Sequence, residues 1–159
     1  AHANTSGNDA HANTSGDGAH ANTSGNDAHA NTSGDDAHAN TSGYDAHANT
    51  SGYRAHANTS GNDAHANTSG DGAHANTSGD DAHANTSGNE AISCGIGINS
   101  KVSALRGWII LTDWRQDDKY NWYINNIYRA KVDKHVICGE KIKSGVKYWF
   151  DNGILKSEL

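Results

Sequence analysis

The chain opens with one nine-residue phrase written ten times. Ala-His-Ala-Asn-Thr-Ser-Gly-x-x begins at Ala1, Ala10, Ala19, Ala28, Ala37, Ala46, Ala55, Ala64, Ala73 and Ala82, and only its last two positions vary. Identical copies at a fixed spacing must meet identical surroundings, which a stack of equivalent coils supplies and an irregular globule does not. A helix is excluded. Nine residues make about two and a half helical turns, so successive copies would face opposite sides, and the Gly, Asn, Thr and Ser of every copy weaken helix further. Low hydrophobicity and a Gly/Ser/Asn-rich composition also suit a solvated linker. A linker, however, needs composition and not register, and the glycines at 7, 16, 25, 34, 43, 52, 61, 70, 79 and 88 never slip.

The pattern therefore predicts an all-β fold, a nonapeptide-repeat β-solenoid. Side chains alternate along Ala1-His2-Ala3-Asn4-Thr5, so positions one, three and five point inward, positions two, four and six outward, and Gly with two polar residues turns the corner. The interior holds only Ala, Ala and Thr, so the two facing sheets must approach closely. About 30 Å of extended nine-residue chain is too short to round two faces and two corners. A coil thus takes about two repeats, giving five coils of about 4.8 Å each and a rod of roughly 24 Å.

Large apolar residues are distributed accordingly. Residues 1–90 contain no Leu, Ile, Val, Phe, Trp, Met or Cys, so apart from Tyr44 and Tyr53 every bulky apolar side chain lies later. The same segment carries 11 acidic groups against Arg54 alone, which disfavours nucleic acid along the repeat because an acidic stripe repels phosphate. No apolar run approaches the length needed to cross a bilayer, and no signal peptide is evident in the chain as given. Cys94 and Cys138 stand outside any C-x-x-C spacing and are read either as two partly buried thiols or as a bridge.

The periodicity fades gradually. Ala91-Ile92-Ser93-Cys94-Gly95-Ile96-Gly97-Ile98-Asn99 keeps Ala first and Gly seventh but puts Ile where His and Ser stood. It reads as a divergent capping repeat covering a sheet edge. Three regions follow: the ten repeats over 1–90, the cap and junction over 91–107, and a β-rich module over 108–159. Within the module, strands are expected at Trp108–Trp114, at Tyr120–Val132 as one or two, at His135–Cys138 and at Val146–Phe150, with turns at Asp117-Asp118-Lys119 and Asp151-Asn152-Gly153. This is a small β-meander that must lean on the rod or on copies of itself.

These nonapeptides resemble, together with Gly95-Ile96-Gly97-Ile98-Asn99-Ser100-Lys101-Val102-Ser103-Ala104-Leu105-Arg106-Gly107-Trp108-Ile109-Ile110-Leu111-Thr112-Asp113-Trp114, Lys131-Val132-Asp133, Gly139-Glu140-Lys141-Ile142-Lys143 and Asn152-Gly153, the nonapeptide-repeat proteins of gut-type bacteria and their tailed phages. The resemblance spans nearly the whole chain, although His135-Val136-Ile137-Cys138 lengthens the link that family has between its Lys-Val-Asp and Gly-Glu-Lys pieces. In style the repeats are also similar to the β-rolls of trimeric autotransporter adhesin heads and phage tail appendages. The resemblance implies a homotrimeric surface or virion fibre, extracellular, at the cell surface or on a virion, with a cell-surface glycan or protein as receptor. It brings no catalytic residues.

The candidate sites are few. His2, His11, His20, His29, His38, His47, His56, His65, His74 and His83 would form two outward columns of five rings, whose neighbours could in principle share Zn²⁺ or Ni²⁺. A flat ladder offers two ligands where a metal wants three or four, so stacked rings bonded to neighbouring Asn or Ser are the plainer expectation. Closely spaced imidazoles should resist protonation, and the rod should weaken below about pH 6. Tyr44, Tyr53, Arg54, Trp114, Tyr120, Trp122, Tyr123 and Trp149 are the candidates for partner binding, since aromatic faces suit sugars and proteins. Regular Thr and Ser suggest an ice-binding face, but Thr is expected inward. The unit lacks the Gly-Gly-x-Gly-x-Asp of calcium-binding rolls, and its Asn-Thr-Ser sequons matter only in a eukaryotic secretory pathway. Asp113, Asp117, Asp118 and His135 could form an acid–base set, or part of a self-cleaving C-terminal chaperone of the kind some phage appendages carry, although surface turns account for them more simply. No enzyme, no catalytic residue and no cofactor is expected. The sequence points to a structural or attachment fibre, with a self-assembling extracellular filament of stacked solenoids as the alternative.

Overall fold

The computed structural model describes residues 1–159 and contains strands and turns but no helix. Each repeat supplies one strand that starts at its histidine: β1 (His2–Ser6), β2 (His11–Ser15), β3 (His20–Ser24), β4 (His29–Ser33), β5 (His38–Ser42), β6 (His47–Ser51), β7 (His56–Thr59), β8 (His65–Thr68), β9 (His74–Thr77) and β10 (His83–Thr86). Odd strands pair in parallel in one sheet and even strands in the other, with His2 opposite His20 and His11 opposite His29. A coil is therefore two repeats. Positions one, three and five face inward as the alternation requires: from Ala19 to Ala84 the inward alanines are fully buried, and the threonines from Thr23 to Thr86 are 2–6% exposed.

Two backbone requirements explain which corner positions vary. Successive corners hydrogen-bond directly, as in Gly7 N–H to the Ser24 carbonyl and Asp9 N–H to the Asn26 carbonyl. A Cβ on Gly61 would fall on the Gly43 carbonyl, and the same holds up the column, so position seven admits only glycine. Position nine has φ between 52° and 64° in every copy, whether the residue is Asp, Gly, Arg or Glu. Asp and Gly suit that left-handed geometry, while Arg54 and Glu90 are held in it by the coils on either side.

The coil continues beyond residue 90. β11 (Ala91–Gly95) pairs with β9, β12 (Lys101–Ala104) with β10, and the first half of β13 (Gly107–Gln116) with β11, all in parallel. The direction then reverses. β14 (Trp122–Lys131) folds back antiparallel on β13 and ends one sheet; β17 (Lys147–Asp151), antiparallel to β12, and β18 (Ile154–Glu158) end the other. Between them β15 (Val136–Ile137) and β16 (Glu140–Lys141) form a two-residue ladder. The C-terminal residues thus make an antiparallel β-meander built onto the ends of the rod's two sheets. Ile154–Glu158 follows the Asp151-Asn152-Gly153 turn where no further strand was expected, and Tyr120–Val132 contains a single strand.

The core changes in kind along the axis; its main cluster is continuous, with Ala19, Ala37 and Ala55 forming a small second one. The main cluster runs from Ala12 through the alanine column to Val102, Ile109, Leu111, Ile142, Tyr148 and Phe150. Gly95 stands where the repeat has Thr, and its missing side chain leaves room for Val102 and Ser100. Cys94 and Cys138 are free thiols, the first half-buried and the second exposed.

Candidate functional site

The repeat projects three kinds of column onto the outside. Imidazoles stack face to face along each sheet, His2 through His74 on one and His11 through His83 on the other, with ring centroids 4.7–4.9 Å apart. Beside them the asparagines form their own ladders. Each Nδ2 donates to the Oδ1 one coil earlier, from Asn22 to Asn4 and from Asn31 to Asn13 upward, at 2.8–3.0 Å. The expected bonds between histidine and Asn or Ser are therefore replaced by separate ladders of like with like, because parallel in-register pairing sets every side chain over its own copy. Ser103 Oγ donates to Asn85 Oδ1 and ends the even ladder. Between the Asn and Ser columns of the odd sheet lies an open groove of about 830 Å³, stopped at one end by Cys94 and Ile96.

Stacking changes the chemistry of the histidines. His20, His29, His47, His56, His65 and His83 are all held below the ordinary imidazole range, first by burial of the rings against their neighbours. Repulsion from adjacent imidazoles adds to this for five of them, whereas at His65 the Asp45 carboxylate pulls the other way. His83 is lowered furthest, to about 4, first by burial and then by the neighbouring His65 ring and the Lys101 and Lys147 ammonium groups. Nowhere do three or more His, Cys, Asp or Glu converge on a point that could hold a metal ion.

The acid–base set considered from sequence is dispersed among structural roles. Asp113 is fully buried, bound to Arg115 at 3.0 Å and to Asn125 Nδ2 at 2.8 Å. Asp117 accepts the Lys119 and Asn121 amides and so closes the β13–β14 turn, and its carboxyl is lowered by the Asn121 bonds. His135 Nδ1 accepts the Lys131 amide, and its ring lies edge-on to Trp108.

The partner-binding candidates fall into separate groups. Tyr44 lies in the turn after β5 and Tyr53 in the turn after β6, so they occupy opposite corners of the rod, each about half exposed. Arg54 pairs with Asp36 at 3.2 Å on the corner of Tyr53. Trp149 lies on the even sheet under the Lys101 ammonium. Trp114 donates its indole N–H to the Ile96 carbonyl. Tyr120, Trp122 and Tyr123 alone share one segment, the turn and free limb of the β13–β14 hairpin, where Ile124 and Ile127 are also exposed. Those two isoleucines were not singled out from sequence, since an isolated Ile reads as core. Comparison with family models, curated proteins and solved structures finds no match to this chain.

Proposed function

We propose that the chain is a structural spacer and attachment element of an extracellular or virion-associated fibre: a stiff repeat rod that holds an aromatic hairpin at a fixed distance. The supporting observation is the in-register ladder itself. Every coil repeats the backbone, imidazole and amide ladders of the one before, so adding a coil adds length and stiffness without changing the surface. The antiparallel strands β14, β17 and β18 leave a following rod no parallel edge at this end, which favours a defined tip over a head-to-tail filament.

A coil-number series tests this reading. Removing residues 55–72, two repeats without a tyrosine, or inserting a second copy of them, should change the rod by about 4.8 Å in small-angle scattering. The near-UV circular dichroism of the tip, and retention of the labelled chain on bacterial cells or virions, should stay the same. If retention falls with each coil removed while the tip remains folded, the rod is the binding face and the spacer reading fails.

A further inference from the structure

We infer that the free edge of β14 pairs with the same edge of a second copy, joining two chains tip to tip through an antiparallel ladder. The hairpin is the one the spacer reading assigns to attachment, and the inference rests on that reading only for its biological meaning. β14 is the outermost strand of its sheet, and residues 122–127 are exposed on both faces. Over Tyr123-Ile124-Asn125-Asn126-Ile127-Tyr128 the sequence reads the same in both directions. Antiparallel pairing about the centre sets Tyr123 against Tyr128, Ile124 against Ile127 and Asn125 against Asn126 of the second copy.

The palindrome alone is not enough. A two-fold axis perpendicular to a sheet keeps every residue on its own face, so residues paired across it must share a face. In a regular strand Tyr123 and Tyr128, an odd number of positions apart, lie on opposite faces. The bulge in this hairpin removes the conflict. Asp113 lies opposite Asn126 and Trp114 opposite Ile124, which leaves Asn125 as the extra residue. Ile127 and Ile124 therefore face the same way as Thr112 and Trp114, while Tyr128 and Tyr123 face the same way as Leu111 and Arg115. The break in alternation sits at the centre of the palindrome and matches its two halves face to face.

Charge and shape agree with this register. Trp122 and Arg129, opposite Gln116 and Ile110, share the face of the isoleucines, so each tryptophan meets the arginine of the second copy in cation–π contact. Lys131 of one chain arrives beside the turn that carries Asp117 and Asp118 of the other. Only Gly107–Leu111 of β13 belongs to the solenoid ladder, so the rest of the hairpin overhangs the rod and receives the other chain while the two rods point apart. The Ile127 amide, held by Asn126 Oδ1 at 2.9 Å in the single chain, exchanges that bond for a backbone carbonyl of the second copy.

The test is the solution mass of the full chain by light scattering across a dilution series, with near-UV circular dichroism as the folding control. A reversible species of twice the 16.7 kDa chain is expected. Ile127→Lys, at a site 59% exposed in the single chain, should leave the fold intact and raise the dissociation constant about tenfold or more. Trp122→Arg should also weaken the dimer, and adding Arg129→Trp should restore it, because the swap rebuilds the same cross-strand pairs. A monomer at every concentration, a trimer, a dimer indifferent to Ile127→Lys, or a double swap no better than the single change each overturns the inference.

Discussion

Just before β7 and along it the inward positions hold Ala55, Ala57 and Thr59; three strands further up the same sheet, β13 holds Gly107, Ile109 and Leu111 in their place. Both sets are buried, yet they make opposite demands on what surrounds them. In the rod, methyl-sized groups let the sheets approach closely, and hydrogen-bonded ladders with tight dispersion contact replace much of the ordinary burial term. In the tip, the sheets separate enough to enclose Tyr148, Ile142 and Phe150, and stability comes from apolar area. Rod positions should therefore reject added volume, and tip positions should suffer from lost volume.

The largest expected effects test that asymmetry directly. Leu111→Ala removes a fully buried side chain from the core shared with Val102 and Tyr148, and should lower unfolding free energy by about 3 kcal/mol. Ala48→Leu, in the middle of the rod, should cost about 2 to 3 kcal/mol by forcing neighbouring coils apart. Denaturant titration of both variants checks the pair. A tolerated Ala48→Leu would mean that the rod interior has space, and the distinction between the two regions would fail.

Acid should separate the regions next. The shifted rod histidines bind protons less readily when folded than when unfolded, so between about pH 6.5 and the folded values the unfolded chain holds more protons and stability falls as the pH is lowered. Their contribution is complete above about pH 6.5 and is lost on the way down to the folded value, about 4 for His83. Asp27 and Asp45 oppose the shift at His29 and His47, whereas Lys101 and Lys147 reinforce it at His83. Hydrogen exchange at about pH 5, corrected for intrinsic rate, should show residues 20–86 less protected than at about pH 8, with Ile109–Leu111 and Tyr148–Phe150 less affected. Equal losses in both regions would place the acid response elsewhere.

How far the sequence can be read depends on the same contrast. Ten identical copies made coil size, inward positions and histidine columns legible, because one alternating rule applied to every copy and repetition removed the alternatives. The Asn ladders were less evident: side-chain partners follow from strand register, which only the two-repeat coil fixes. At Lys101–Ala104 and Gly107–Leu111 the letters change while the geometry persists, so the continued ladder is disguised by Lys, Val and Trp in the places of His and Ala. Ile124 and Ile127 were missed for a related reason. A strand-like run of aromatics and isoleucines gives no hint that its outer limb overhangs the rod, since exposure there is set by where β13 leaves the ladder.

The smallest effect concerns a cost that the rod carries in every coil. From Thr5 to Thr68 the inward threonine hydroxyls are buried without a hydrogen-bond partner, whereas Thr77 bonds to the Cys94 carbonyl and Thr86 shares a 3.3 Å hydroxyl–hydroxyl bond with Ser93. The difference lies in the neighbours: in the repeat each threonine stacks on its own copies beside alanine methyls, while the last coil brings the Ser93 hydroxyl to Thr86 and the Cys94 carbonyl to Thr77. Thr50→Val replaces the unpartnered hydroxyl with a methyl of the same shape and should raise stability by about 1 kcal/mol. Thr86→Val instead leaves Ser93 Oγ its 2.6 Å bond to the Ser103 carbonyl and removes one partner, so it should be neutral or slightly destabilising. Thermal melts of the two variants measure the contrast within one residue type. If Thr50→Val destabilises as much as a core deletion, the rod's hydroxyls are holding the coils together, and its interior is polar in function as well as composition.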